Sequence, residues 1–184
     1  MKSITNLNNI SLASSILADD ILEFHVARLL LIFLICGTNG RIDGLTKMAK
    51  LDFFVRYPQF FIKYCKLNNL PTNETTDYIE SNMIRYHYGP WDQRYYQILG
   101  YLKSRNLINL EKKGNTIVIQ MTDLGKLKAN AIKNSIQFSD IVSQISAVNI
   151  VLGKKSGTQL KNLVYETFDE EIVQLKRGDL ISYD

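Results

Sequence analysis

The sequence predicts a mainly α-helical chain with one small β-hairpin, and three observations predict it. Apolar residues recur at three- and four-residue spacing along most of the chain. One pair of short apolar runs, LINLE and TIVIQM, flanks the turn residues Lys112-Lys113-Gly114-Asn115. The composition, 46% apolar and 22% charged with three prolines and ten glycines, is that of a folded globular chain rather than a fibrous or disordered one. At 184 residues the chain can bury a core without staples.

The elements follow in order. Residues 1–14 are Asn-rich and weakly patterned, so a frayed segment is expected. From Ser14 or Ser15, either a possible cap, Ile16, Leu17, Ile21, Leu22, Phe24, Val26, Leu29, Leu30, Phe33 and Leu34 predict one long helix that stops at Gly37-Thr38-Asn39-Gly40. Leu45, Met48, Ala49, Leu51, Phe54 and Val55 predict a second helix, with Lys47, Lys50 and Arg56 largely off the apolar stripe and Pro58 as a boundary or kink. A third spans Gln59 to Lys66, and Asn68 to Asp77 is a loop around Pro71. Tyr78 to Tyr88, ending at Gly89-Pro90, reads as a strand or extended loop. Asp92 caps a helix that buries Tyr95, Ile98, Leu99 and Leu102 and ends near Asn106. After the hairpin, Thr122-Asp123 opens a helix through Leu124, Leu127, Ala131 and Ile132. Residues 138–152 and 158–175 predict two more, separated by the Gly153–Gly157 loop.

Several function classes drop out. The longest apolar run, Leu29 to Cys36, is eight residues, against roughly 18 to 20 for a membrane-spanning helix. The N-terminus holds no apolar stretch of the secretory kind, so a cytoplasmic protein without a membrane partner is expected. Cys36 and Cys65 sit in apolar surroundings outside any C-x-x-C pair and read as reduced core residues. His25 and His87 lie 62 positions apart, and His25 beside Phe24 and Val26 reads as structural. The Gly153-Lys154-Lys155-Ser156 loop has Val148 where a phosphate loop needs its first glycine. Asp92 with Glu111-Lys112-Lys113 imitates a metal-dependent nuclease, but a helix cap and a turn residue are not carboxylates on neighbouring strands. Asp169-Glu170-Glu171 reads as a solvated helix face. No catalytic residue, metal or cofactor is expected.

Charge points elsewhere. Lys and Arg outnumber Asp and Glu by 22 to 18, a net of +4. Residues 1–40 hold two basic and three acidic groups, residues 41–136 fifteen and eight, and residues 137–184 five and seven. The +7 centre suits a phosphate-facing surface, and equally a solvated lysine-rich face. Within it, YYQILGYLKSRNLINLEKKGNTIVIQMTDLGKLKA resembles the end of many winged-helix regulators: a helix, an Arg-Asn-Leu-Ile link, a wing hairpin, and Met121-Thr122-Asp123-Leu124-Gly125 leading into the next helix. That resemblance implies an elaborated winged helix-turn-helix with additional C-terminal helices. Its core would be residues 15–136, with an insertion at about 57–91, and a helical extension at 137–184 would pack on it. The helix from Asp92 then takes the recognition position. Arg94, Gln97, Tyr101 and Arg105, three, four and four apart, and Lys112 and Lys113 at the wing tip are the candidate contacts to double-stranded DNA.

Six aromatics crowd into residues 53–64, more than one face of a short helical hairpin buries. Phe53, Phe54, Tyr57, Phe60 and Phe61, with Tyr88 and Trp91 at the Gly89-Pro90 turn, are candidates for a partner-facing patch, or for core. GRIDGLTKMAKLDFFVRYP, MIRYHYGPWDQRYYQILGYL and SGTQLKNLVYETF resemble the middle-component proteins of three-component ABC/SMC-type ATPase systems, which include Lamassu-type anti-phage defence, over residues 24–168. The resemblance implies a non-enzymatic winged-helix adaptor joining an SMC-like ATPase subunit to an effector nuclease subunit, with a part in holding DNA. LTKMAKLDFF and YGPWD are also similar to antitoxin domains, the basis of an alternative as a DNA-binding transcriptional regulator or antitoxin.

Overall fold

The computed structural model describes residues 22–72 and 83–182. The predicted helix start at Ser14 or Ser15, the expected frayed segment and residues 78–82 lie outside the described residues. The protein is mainly helical with a small antiparallel sheet. Helix α1 (Leu22–Cys36) is followed by strand β1 (Arg41–Asp43), α2 (Leu45–Arg56) and α3 (Pro58–Leu67). A short ribbon, β2 (Ile84–Tyr86) and β3 (Gly89–Trp91), precedes α4 (Tyr95–Ser104), the hairpin β4 (Ile108–Lys113) and β5 (Thr116–Met121), and α5 (Asp123–Lys133). A 3₁₀ turn leads into α6 (Ser139–Leu152), then α7 (Gly157–Thr167) and a single π-helical turn, Asp169–Val173.

Helix α1 is apolar around most of its circumference and occupies the centre, packing against α2, α4, α5 and α6. Leu29 to Phe33 are all buried. Helix α2 lies between α1 on one side and α6 and α7 on another, so it too is covered on more than one face. This corrects the expectation that Lys50 and Arg56 lie off the apolar stripe, since both are buried. The run predicted as one helix over 158–175 ends at Thr167, and Phe168 turns into the core before the π-helical turn.

The hairpin gains a strand that three residues could not announce. β1 pairs antiparallel with β5, Ile42 opposite Ile119, giving the order β1-β5-β4. A two-stranded hairpin is marginal in water, and the third strand with a buried face makes it a stable layer. The Arg-Asn-Leu link is a Schellman ending of α4. Asn106 adopts φ 54°, its N–H bonds the Lys103 carbonyl at 3.0 Å, and the Leu107 N–H bonds the Leu102 carbonyl at 2.9 Å. No single helix among the described residues is long and apolar enough to cross a membrane; α5 and the run Ile136–Leu152 reach that length together only across an 87° bend.

Candidate functional site

Gln97 on α4 and Arg105 at its C-terminal cap are exposed, and Tyr101 is half-buried beneath the Arg105 guanidinium, 5.2 Å from its ring centre. Lys112 and Lys113 are exposed at the hairpin turn, where the Lys113 ammonium lies 3.2 Å from the Glu111 carboxylate. Arg94 does not join them. Its guanidinium donates twice to Asp92, to Oδ1 at 3.0 Å and Oδ2 at 2.7 Å, and its Nη1 lies 2.8 Å from His25 Nε2.

Asp92 is therefore not the expected helix cap. Helix α4 starts at Tyr95, and Asp92 is buried in an ionic network that ties three helices together. Arg56 Nη1 donates to Asp92 Oδ2 at 2.6 Å. Arg28 Nε donates to Asp52 Oδ1 at 2.7 Å, and the Tyr95 hydroxyl donates to Asp52 Oδ2 at 2.7 Å. Burial alone would raise the Asp92 pKa. The hydrogen bond from Arg94 and the Arg56 charge outweigh it and hold the carboxyl well below the usual carboxylate range. Buried, paired and shared among α1, α2 and the start of α4, these charges organise packing.

The aromatic candidates divide. Phe53, Phe54, Tyr57, Phe60 and Phe61 are buried, so they form no partner-facing patch. The cover that the local sequence does not reveal is Phe168, whose ring meets Phe60 at 5.0 Å, Phe54 at 6.1 Å and Phe53 at 6.4 Å. The Tyr57 hydroxyl accepts from the Met83 N–H at 2.6 Å and donates to the Ile181 carbonyl at 3.1 Å, tying the cluster to distant chain. Tyr88 is exposed and Trp91 half-buried at the β2–β3 turn, and Tyr86 and Tyr96 complete an exposed ring cluster there. Gly89 makes the turn possible with φ 91°.

These rings wall a depression of about 360 Å³ with Lys50 on its floor. Lys50 Nζ donates to the Pro90 carbonyl at 2.9 Å. Burial, with a smaller push from the Arg85 charge, lowers the Lys50 pKa from 10.5 to about 7. Burial also pushes the Cys36 thiol up to about 12, which leaves it protonated and inert.

Sequence reasoning missed a cluster of four cations. The Gly153–Gly157 loop, set aside for lacking a phosphate-loop glycine, brings Lys154 and Lys155 beside Arg41 and Lys47 around a depression of about 690 Å³. The signal was present as two adjacent lysines, yet they belong to a segment with an acidic balance. Only the packing of α7 against α2 moves them onto the basic centre. Among the described residues no group of three His, Cys, Asp or Glu side chains could hold a metal ion. No family model, curated protein or solved structure matches this chain.

Proposed function

We propose that the chain is a non-enzymatic winged-helix adaptor, linking an SMC-like ATPase to an effector nuclease in an anti-phage or anti-plasmid defence complex and contributing to its DNA contact. The resemblance over residues 24–168 supplies the partner class. The observation that carries an adaptor is helix α5. Its inner face buries Gly125 and Ala129 and half-buries Ile132, while Leu124, Leu127 and Ala131, three and four apart, are exposed. Leu127 is 66% exposed, and Ile136 just beyond the helix is 79% exposed. A helix with apolar stripes on two faces is built to sit between two bodies, and the described residues supply only one of them.

The test is co-expression with the genes encoded beside it, which the proposal expects to include an SMC-like ATPase and a nuclease, and purification through a tag on this chain. Both neighbours should co-elute. Leu127→Lys should release at least one of them while leaving the melting temperature nearly unchanged, because the side chain is on the surface. A wild-type chain that elutes alone overturns the proposal.

Exposure of Gln97, Arg105 and Lys112 favours a second reading, a duplex-binding regulator or antitoxin. It expects a homodimer and a salt-sensitive gel shift, weakened broadly by Lys112→Ala with Lys113→Ala and sequence-selectively by Arg105→Ala. Absence of any duplex complex at low salt removes it.

A further inference from the structure

The ring-walled depression is not isolated. Through Thr46 and Tyr88 it continues into a second of about 340 Å³, which carries Lys47 and Lys161. Through Lys47 and Gly157 that one continues into the cation-rich depression of about 690 Å³. One groove thus runs from aromatic rings at one end to Arg41, Lys154 and Lys155 at the other. Among the described residues lining these three depressions, Asp43 is the one carboxylate, and Arg41 Nε already donates to it at 2.8 Å.

The rings are spent only partly on one another. Tyr86 lies 6.0 Å from Trp91 and Tyr96 lies 5.9 Å from it, while Tyr88 and Tyr96 are 60% and 64% exposed. Exposed ring faces continuous with a run of cations match a ligand that carries flat, uncharged rings and a repeating negative charge on the same chain. A DNA duplex has the charge but hides its base faces in the stack. An acidic peptide has the charge and leaves the rings unfilled.

We propose that this groove binds a single strand of nucleic acid, DNA or RNA, with a base stacked among Tyr86, Tyr88, Trp91 and Tyr96 and the adjoining phosphates on Lys161, Lys47, Lys154 and Lys155. This surface is distinct from the outer face of α5 and from Gln97 and Arg105, and it does not depend on the adaptor reading.

Trp91 is the single tryptophan of the chain and lines the ring pocket, so the full-length protein carries its own reporter. Titration with dT12, rU12, a 12-base-pair duplex and a 12-residue polyglutamate at several salt concentrations tests the proposal. Either single strand should change Trp91 fluorescence and bind at least tenfold more tightly than the duplex. For about four phosphate contacts the log–log salt slope should be about −3. The tighter of dT12 and rU12 identifies the natural strand. Tyr88→Ala should weaken binding about tenfold with the slope kept, and Lys154→Glu with Lys155→Glu should weaken it and flatten the slope. Both variants alter exposed or half-exposed side chains, and an unchanged melting temperature verifies their fold. Duplex binding as tight as dT12 overturns the proposal in favour of a backbone-only surface. Polyglutamate that competes equally assigns the groove to an acidic protein partner, and no fluorescence change with either strand also ends it.

Discussion

Lys50 shows how far one side chain can depart from what its sequence neighbours suggest. It falls beside an apolar stripe and reads as solvated, yet it is 1% exposed with its ammonium against the Pro90 carbonyl. Its pKa is lowered to about 7 from 10.5, so between those values the unfolded chain holds a proton that the folded chain has released. Stability therefore rises with pH across that window, and the full penalty of the buried charge is felt below pH 7. Lys50→Met keeps the volume and removes the charge. It should stabilise the protein by on the order of 2–4 kcal/mol at pH 6 and by much less at pH 10. Urea unfolding of both proteins at pH 6, 8 and 10 measures this, and an equal gain at every pH would mean that Lys50 is not the titrating group.

Elements with local signals were legible and those made by distant chain were not. The hairpin, the helix opened by Thr122 and the link at Asn106 each rest on residues that fix a turn or cap in place, so a short window of sequence contains the cause. The Thr122 side chain accepts from the Gly125 N–H at 2.9 Å, and Gly125 presses against the Leu107 backbone. A Cβ at Gly125 would lie 2.0 Å from the Leu107 carbonyl oxygen, whereas a Cβ at Gly100 on α4 would meet nothing within 4 Å. Gly125→Ala should therefore destabilise by about 2–3 kcal/mol. Gly100→Ala should stabilise by about 0.5–1 kcal/mol through the helix propensity of alanine. Thermal melts of the two variants decide it, and a neutral Gly125→Ala would mean that α5 is free to shift off the hairpin. Strand β1 stayed hidden because Arg41-Ile42-Asp43 has too few residues for a period-two pattern, and its partner β5 lies some 75 positions on.

Across the whole molecule, what the sequence could not reveal is pairing at long range. The crowded phenylalanines looked like surplus because Phe168 and Ile181 are more than 100 residues away, and the candidate site moved from those rings to the β2–β3 turn when they closed over the core. Arg56 and Asp92, 36 positions apart, likewise give no local sign that they meet at 2.6 Å with almost no solvent on either. That pair joins the end of α2 to the approach to α4, so it fixes the helix that bears Gln97 and ends at the cap residue Arg105 relative to the core. A folded pKa held below the ordinary 3.8 means that the ionised Asp92 contributes stability above about pH 4, and that this contribution is lost as pH falls toward the folded value. Asp92→Asn keeps the shape but leaves Arg56 and Arg94 facing a neutral amide. It should lower stability by about 2–4 kcal/mol at pH 7. The gap between wild type and variant should narrow steadily as pH falls from 4 to 2, because the unfolded wild-type chain then takes up a proton that the folded carboxylate, held by Arg94 and Arg56, does not. Unfolding curves recorded from pH 7 down to pH 2 give the comparison directly. If the gap were constant over that range, Asp92 would be acting through shape rather than charge, and the network would be packing and not electrostatics that orients α4.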